Sequence, residues 1–294
     1  MNSSSLNQII PLGHEHRLPG ASFTGRYLSD NFSDYNTVFF ISRISDQLSQ
    51  TRYNAINESN FDQIISDNNV HLILDTVPAI ISQDGLGDPP YVAQVDRIQK
   101  AHPNSRYVHI SSTSVYPPGE VRANESDLPL MDENTPAEPD TNRGMARLSL
   151  EQRILSLYPH ARIIRSGGLY GPGRCTALRF RRGDFRRTGN ENRMISRIHV
   201  HDLCRLVLAL GSDSGNLPSL VNGVDERPAT NRETFEFIEQ TISIEIPGGW
   251  RNAPPEGRRI VSLYARELLG SVYTYPTYCE GFLQCLADET ICNS

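Results

Sequence analysis

Hydroxyls, glycines and arginines that could do chemistry concentrate between Ser105 and Arg174. A short apolar run, Tyr107-Val108-His109-Ile110, opens into Ser111-Ser112-Thr113-Ser114-Val115-Tyr116. Hydroxyls at the carboxyl end of a strand sit where open α/β sheets bind ligands, and there they can donate to a substrate oxygen. A Pro- and acid-rich loop ending in Asp132-Glu133-Asn134-Thr135-Pro136 leads to a helix over Arg143–Leu157. A second strand, Ala161–Arg165, then runs into Ser166-Gly167-Gly168-Leu169-Tyr170-Gly171-Pro172-Gly173-Arg174. Glycines after that strand let backbone approach the same crevice.

A proton donor is harder to find. The phenols of Tyr116, Tyr170, Tyr275 and Tyr278 are candidates, each set against an ordinary packing role. His199 and His201 can act at neutral pH. Read as strand residues two apart they share one face, but two histidines without a third ligand make a poor metal site, so no metal is expected. Arg179, Arg181, Arg182, Arg186, Arg187, Arg193 and Arg197 fall within nineteen residues of a chain with formal net charge −6. They form either a solvated loop or a bidentate clamp for an anionic substrate. Nucleic acid fits poorly, because only Phe180 and Phe185 interleave for stacking.

These groups need a scaffold. The 294 residues, 38% hydrophobic, can bury a large α/β core or a domain plus a small lobe. No apolar run approaches the roughly 18 residues of a membrane span. The start, MNSSSLNQIIPLG, lacks the basic flank and long apolar core of a signal peptide. Five cysteines without metal spacing read as free thiols. The expectation is a cytoplasmic protein, monomer or homodimer, with a small-molecule substrate and neither membrane nor nucleic-acid partner.

Gly20-Ala21-Ser22-Phe23-Thr24-Gly25 is similar to G-x-G-x-x-G with serine at the middle glycine, followed by a helix from Arg26-Tyr27-Leu28. Such a loop brings a pyrophosphate to a helix N-terminus. The segment before it, His14–Pro19, is polar; the better strand, Ile9–Gly13, lies earlier and implies an insertion in the loop. Thr37–Ile41 and Val70–Asp75 read as further strands, with helices near Phe61–Ile65 and Tyr91–Lys100. The β-α alternation calls for a parallel sheet. Val200–Leu210 reads as an apolar helix, Leu220–Gly223 as a strand, and Thr230–Glu233 as a helix start with capping-box spacing.

Together SSTSVY, DENTP, the helix carrying Leu150-Glu151 and RSGGLYGPGR resemble the extended short-chain dehydrogenase/reductase superfamily, the NAD-dependent epimerase/dehydratase group. The resemblance covers about residues 18–285. It implies an α/β fold: a doubly wound parallel Rossmann sheet over 18–174, with strands from 203–225 as candidates to join it, and a small mixed substrate lobe from 175–200 and 226–294. It places a dinucleotide against Gly20, Ser22, Phe23, Thr24, Gly25, Asp75, Thr76, Val77, Pro78, Ser111 and Gly168. Ser42 and Arg43, where NAD sites often carry an acid, suit a 2′-phosphate, so NADP is favoured and NAD is the alternative. Ser112 matches the hydroxyl that polarises the substrate; Thr113, Arg174, Arg197 and His199 match substrate contacts.

One feature of the family is missing. Its Tyr-x-x-x-Lys pair falls on Arg143 and Arg147, as in the atypical branch. A guanidinium stays protonated and cannot relay a proton as a phenol does. With Ser112 and an acid not identified from the sequence, Tyr116 being one candidate beside Arg143 and Arg147 at the catalytic positions, the chain reads as an oxidoreductase or epimerase. The alternatives are a non-redox isomerase, lyase or cyclase, and a cofactor-sensing protein without turnover.

Overall fold

The computed structural model describes residues 7–12, 22–32, 36–41, 54–56, 59–77, 81–82, 85–86, 91–119, 128–212, 216–251 and 253–292. They fall into two compact units. The first is drawn from Met1–Ser112, Thr141–Ile164 and Cys204–Leu220; the second from Thr113–Asp140, Arg165–Leu203 and Val221–Ser294.

A seven-stranded sheet organises the first unit. In spatial order its strands are Leu220–Gly223, Arg162–Ser166, Arg106–Ser112, Val70–Asp75, Asn7–Leu12, Asn36–Ile41 and Asn54–Ile56. The pairs from Arg106–Ser112 through Asn54–Ile56 are all parallel. Ile163 N–H donates to Ser219 and Gly167 N–H to Gly223, a constant offset that makes the outermost pair parallel too. Val108 and Ile163 therefore lie in neighbouring strands of one sheet, as the β-α alternation requires. The sheet begins at Asn7, earlier than the expected 18, so the apolar run Ile9–Leu12 is the first strand. Pro11 sits inside it, opposite Leu74, although proline removes a ladder donor. The pairing on that side is irregular between Gln8 and Ile9.

Helices cover both faces. Phe61–Asp67, Val92–Ala101 and Asn142–Leu157 bury Phe61, Ile65, Val95, Ile98, Leu150 and Ile154 against Ile73, Tyr107 and Ile163. Adjacent strand residues point to opposite faces, so Leu72 belongs to the other layer. There it meets Gly211, where a Cβ would press on the leucine methyls. That glycine ends the helix Val200–Gly211, which is amphipathic and buries Leu203, Cys204, Leu206, Val207 and Leu210.

The second unit is mixed. Gly168–Tyr170 pairs in parallel with Arg197–His199; Arg193–Ile195 pairs antiparallel with Ala229–Thr230 and parallel with Glu256–Gly257. Its core gathers Tyr170 from the strand Gly168–Tyr170 with Leu178, Phe180, Phe235, Ile238, Tyr278 and Phe282 from three helices, Thr176–Arg181, Asn231–Ile242 and Tyr278–Cys292. Gly281 lets the last helix sit against the Tyr170 ring, where any Cβ would overlap it. Asn231–Ile242 begins with the expected capping box: Thr230 Oγ1 accepts from Glu233 N–H, and the Glu233 carboxylate accepts from Thr230 N–H.

Candidate functional site

The helix Phe23–Asn31 follows the inner strand Asn7–Leu12 across ten intervening residues. Its N-cap is Ser22, whose Oγ accepts the Gly25 N–H at 3.1 Å. The serine at the middle motif position thus satisfies one of the orphan donors that every helix start carries. A glycine there would leave that donor to another partner. Thr24 and Gly25 are buried within the first turn, Phe23 is half-buried, and the Cys204 thiol donates to the Thr24 carbonyl at 3.6 Å. Such an N-terminus attracts anions. Gly20, Ser42, Arg43 and Pro78 lie outside the described residues.

Asp75 ends the strand Val70–Asp75 and is almost wholly buried. Its Oδ1 accepts from Val77 N–H at 2.9 Å; its Oδ2 accepts from the Tyr107 phenol at 2.8 Å and lies 2.8 Å from His109 Nδ1. Both oxygens of Asp75, a residue expected to serve a cofactor, are thus engaged by internal partners. Burial, then the Asp75 charge, push the Tyr107 phenol well above its ordinary value. Thr76 is half-buried beside the buried Val77.

Ser111 and Ser112 close the strand Arg106–Ser112. Ser111 faces the helix Asn142–Leu157, where its hydroxyl donates to Glu151 Oε1 at 2.5 Å with both residues buried. Ser112 is half-buried where the strand gives way to the 3-10 turn Thr113–Val115. The helix is N-capped by Thr141, whose Oγ1 accepts from Gly144 N–H. Arg143, Arg147 and Glu151 follow at four-residue spacing, so they share a face. Arg143 is exposed and Arg147 half-buried. Burial and the Arg143 charge lower the Arg147 pKa, and the Glu151 charge raises it.

In the second unit Tyr116, a candidate acid in the sequence, is fully buried. Its phenol donates to Asn222 Oδ1 at 2.8 Å, and the Arg165 guanidinium lies 4.8 Å from its ring centre. Burial raises its pKa despite Arg165 and Asn222. Tyr170 and Tyr278 are likewise core residues. The histidines do not share a strand face: His199 ends the strand Arg197–His199, while His201 is in the helix that starts at Val200. His199 Nδ1 accepts from His201 N–H at 3.1 Å, and burial lowers its pKa to about 4, so the ring is neutral at pH 7. Gly168 is exposed, pairs with Arg197 and donates its N–H to Ser196 O at 2.8 Å; Thr113 is half-buried and Arg174 exposed.

The arginine cluster is dispersed. Arg187 pairs with Glu239 and Arg193 lies 3.9 Å from Glu256; Arg179 sits 4.5 Å from the Phe185 ring centre. Arg197 alone is taken inside, 5.5 Å from the Tyr278 ring centre, with one hydrogen bond to Ile195 O at 3.3 Å. Burial lowers its pKa and the Asp225 charge raises it.

Three groups escaped the sequence. Glu151 was legible only as a helix landmark, not as the partner of Ser111. Asp202 accepts from Thr274 N–H at 2.9 Å and Tyr275 N–H at 2.8 Å, which sets the Tyr275 ring 3.9 Å from the His199 ring centre. Its signal was the Arg-x-x-x-x-Asp spacing from Arg197. Asp225 had no signal. It is buried, its Oδ1 accepts from Arg227 N–H at 3.2 Å, and its Oδ2 has no hydrogen-bond partner among the described residues.

No family model matches this chain, and no curated protein matches it. Solved structures match over nearly the whole length. A functionally unknown conserved protein from Silicibacter pomeroyi is 22% identical, with TM-score 0.74 over 96% of this chain and 99% of the other. dTDP-glucose 4,6-dehydratase from Bacillus anthracis, solved in complex with NAD, is 13% identical, with TM-score 0.68 over 97% of each chain. A putative NAD-dependent epimerase/dehydratase from Methylobacillus flagellatus is 18% identical, with TM-score 0.68 over 98% of this chain and 100% of the other. At these identities the likeness establishes the fold, a parallel α/β sheet of the kind the sequence motifs called for.

Proposed function

We propose that this chain binds a nicotinamide dinucleotide in its first unit and acts as an oxidoreductase or epimerase on a small, anionic or nucleotide-linked substrate. The observation that carries the reading is the Ser22-capped helix Phe23–Asn31, which follows an inner strand of a parallel sheet. Its first turn offers the backbone donors and dipole that suit a pyrophosphate. NADP is preferred to NAD on the strength of Ser42 and Arg43 in the sequence. The B. anthracis dehydratase of the same fold was solved with NAD. When bound, a dinucleotide supplies a hydride acceptor and donor. Ser112, half-buried at a strand's carboxyl end, is the hydroxyl we assign to polarising a substrate oxygen, and Arg197 is the arginine we assign to an anionic group.

A second reading is favoured by Arg143, Arg147 and Tyr116. Two guanidiniums occupy the helix positions of the expected phenol and ammonium, and the Tyr116 phenol is internal. A non-redox isomerase, lyase or cyclase, or a cofactor-sensing protein without turnover, needs no such phenol. Native mass spectrometry of the purified chain, followed by incubation with nucleotide-sugars with and without added dinucleotide, separates them. The first reading expects a co-purifying or added dinucleotide and turnover that requires it. Turnover independent of any dinucleotide would favour the second.

A further inference from the structure

Among the described residues, the helix Asn142–Leu157 carries two cations with no counter-charge in contact. Arg143 and Arg147 are one turn apart on one face, and neither guanidinium has a hydrogen bond or ion pair among the described residues. The carboxylate that could serve them, Glu151, is one turn further on, buried and hydrogen-bonded to Ser111. It acts on Arg147 only through space. Arg147 is therefore a half-buried guanidinium with no acceptor among the described residues, beside a like charge that repels it. Like charges at this spacing destabilise a helix. Four other arginines show the contrast: Arg187, Arg232, Arg258 and Arg266 each meet a carboxylate.

We infer that Arg143 and Arg147 form a binding site for a phosphate-type dianion carried by a ligand of this protein. A dianion matches the paired positive charge, where one carboxylate would neutralise half of it. The planar guanidinium fork suits tetrahedral oxyanions. Arg147 provides the desolvated, directional contact; Arg143, nearer the solvent, provides charge. The Ser111–Glu151 bond holds the carboxylate away from Arg147 and so keeps the guanidinium open to an anion. The site goes beyond the dinucleotide reading and stands without it.

The test uses inorganic phosphate and the full chain. Calorimetric titration at fixed ionic strength, balanced with chloride, is run on the wild type and on Arg147→Gln, Arg143→Gln and Arg153→Gln. Arg153 is an exposed arginine of the same helix and controls for general charge. Arg147→Gln should weaken phosphate binding by about tenfold or more and Arg143→Gln by less, with Arg153→Gln unchanged. On the unmodified protein, phosphate should protect Arg143 and Arg147 from phenylglyoxal while Arg153 still reacts, a readout that needs no variant to fold. Unprotected Arg143 and Arg147, or full affinity in Arg147→Gln, would overturn the inference. Phosphate is the only probe, so a missing anion site and a missing dinucleotide site are read separately.

Discussion

Replacing Asp225 by asparagine should make the protein more stable, and increasingly so as pH rises. Burial pushes the Asp225 carboxyl from 3.8 up to about 8; the neighbouring Glu280 and Glu226 charges add to this, and Arg227 N–H and Arg197 oppose it. Between those two values the unfolded chain has lost the proton and the folded chain has kept it. Stability then falls with rising pH by about 1.4 kcal/mol per pH unit, and levels off above the folded value. The ceiling over that window is about 5 kcal/mol; relaxation and water entry reduce it, and about 2–3 kcal/mol at pH 8 is the expected effect. Asparagine retains an oxygen for Arg227 N–H and has no proton to lose, so Asp225→Asn removes the term. Urea unfolding of both proteins at pH 4.5, 6, 7 and 8 measures it, because all other titrations are shared and cancel in the difference. Midpoints should nearly coincide at pH 4.5 and separate in favour of the variant above it. Parallel pH profiles, or a wild type that gains on the variant with rising pH, would refute the reasoning.

Other perturbations test the remaining assignments. Ser22→Ala removes the helix cap and should lower stability by about 0.5–2 kcal/mol, whereas Ser22→Gly should cost only a few tenths; urea midpoints distinguish the two. Asp202→Asn leaves one of the Thr274 and Tyr275 N–H groups without an acceptor, at about 1–3 kcal/mol, and limited proteolysis should show faster cleavage near Tyr275. Ser112→Ala should slow turnover of the native substrate by about 10²-fold if the hydroxyl donates to a developing oxyanion; unchanged turnover would place the chemistry elsewhere.

The sheet was legible because its strands are short, apolar and punctuated by turns. Val70–Asp75 and the run from Tyr107 read directly, and so did the capping box at Thr230. The first strand was harder, since Pro11 interrupts it and seven residues separate its end from the glycine motif at Gly20. Partnerships were not legible at all. Arg187 and Glu239, or Ser111 and Glu151, are dozens of residues apart, so a run of arginines resembled one clamp although the fold pairs them singly. Tyr116 stood next to the candidate serines in sequence, yet a 3-10 turn carries it into the interior. Asp225 follows a short strand and gives no pattern, because its raised pKa comes chiefly from burial.

Direct titration of the full chain with NADP and with NAD, followed calorimetrically, tests the central claim. The account predicts saturable binding of one dinucleotide per chain, tighter for NADP, with the NADP advantage lost in Arg43→Ala. No heat of binding from either dinucleotide up to about millimolar concentration, where affinity falls to about 4 kcal/mol, would contradict it.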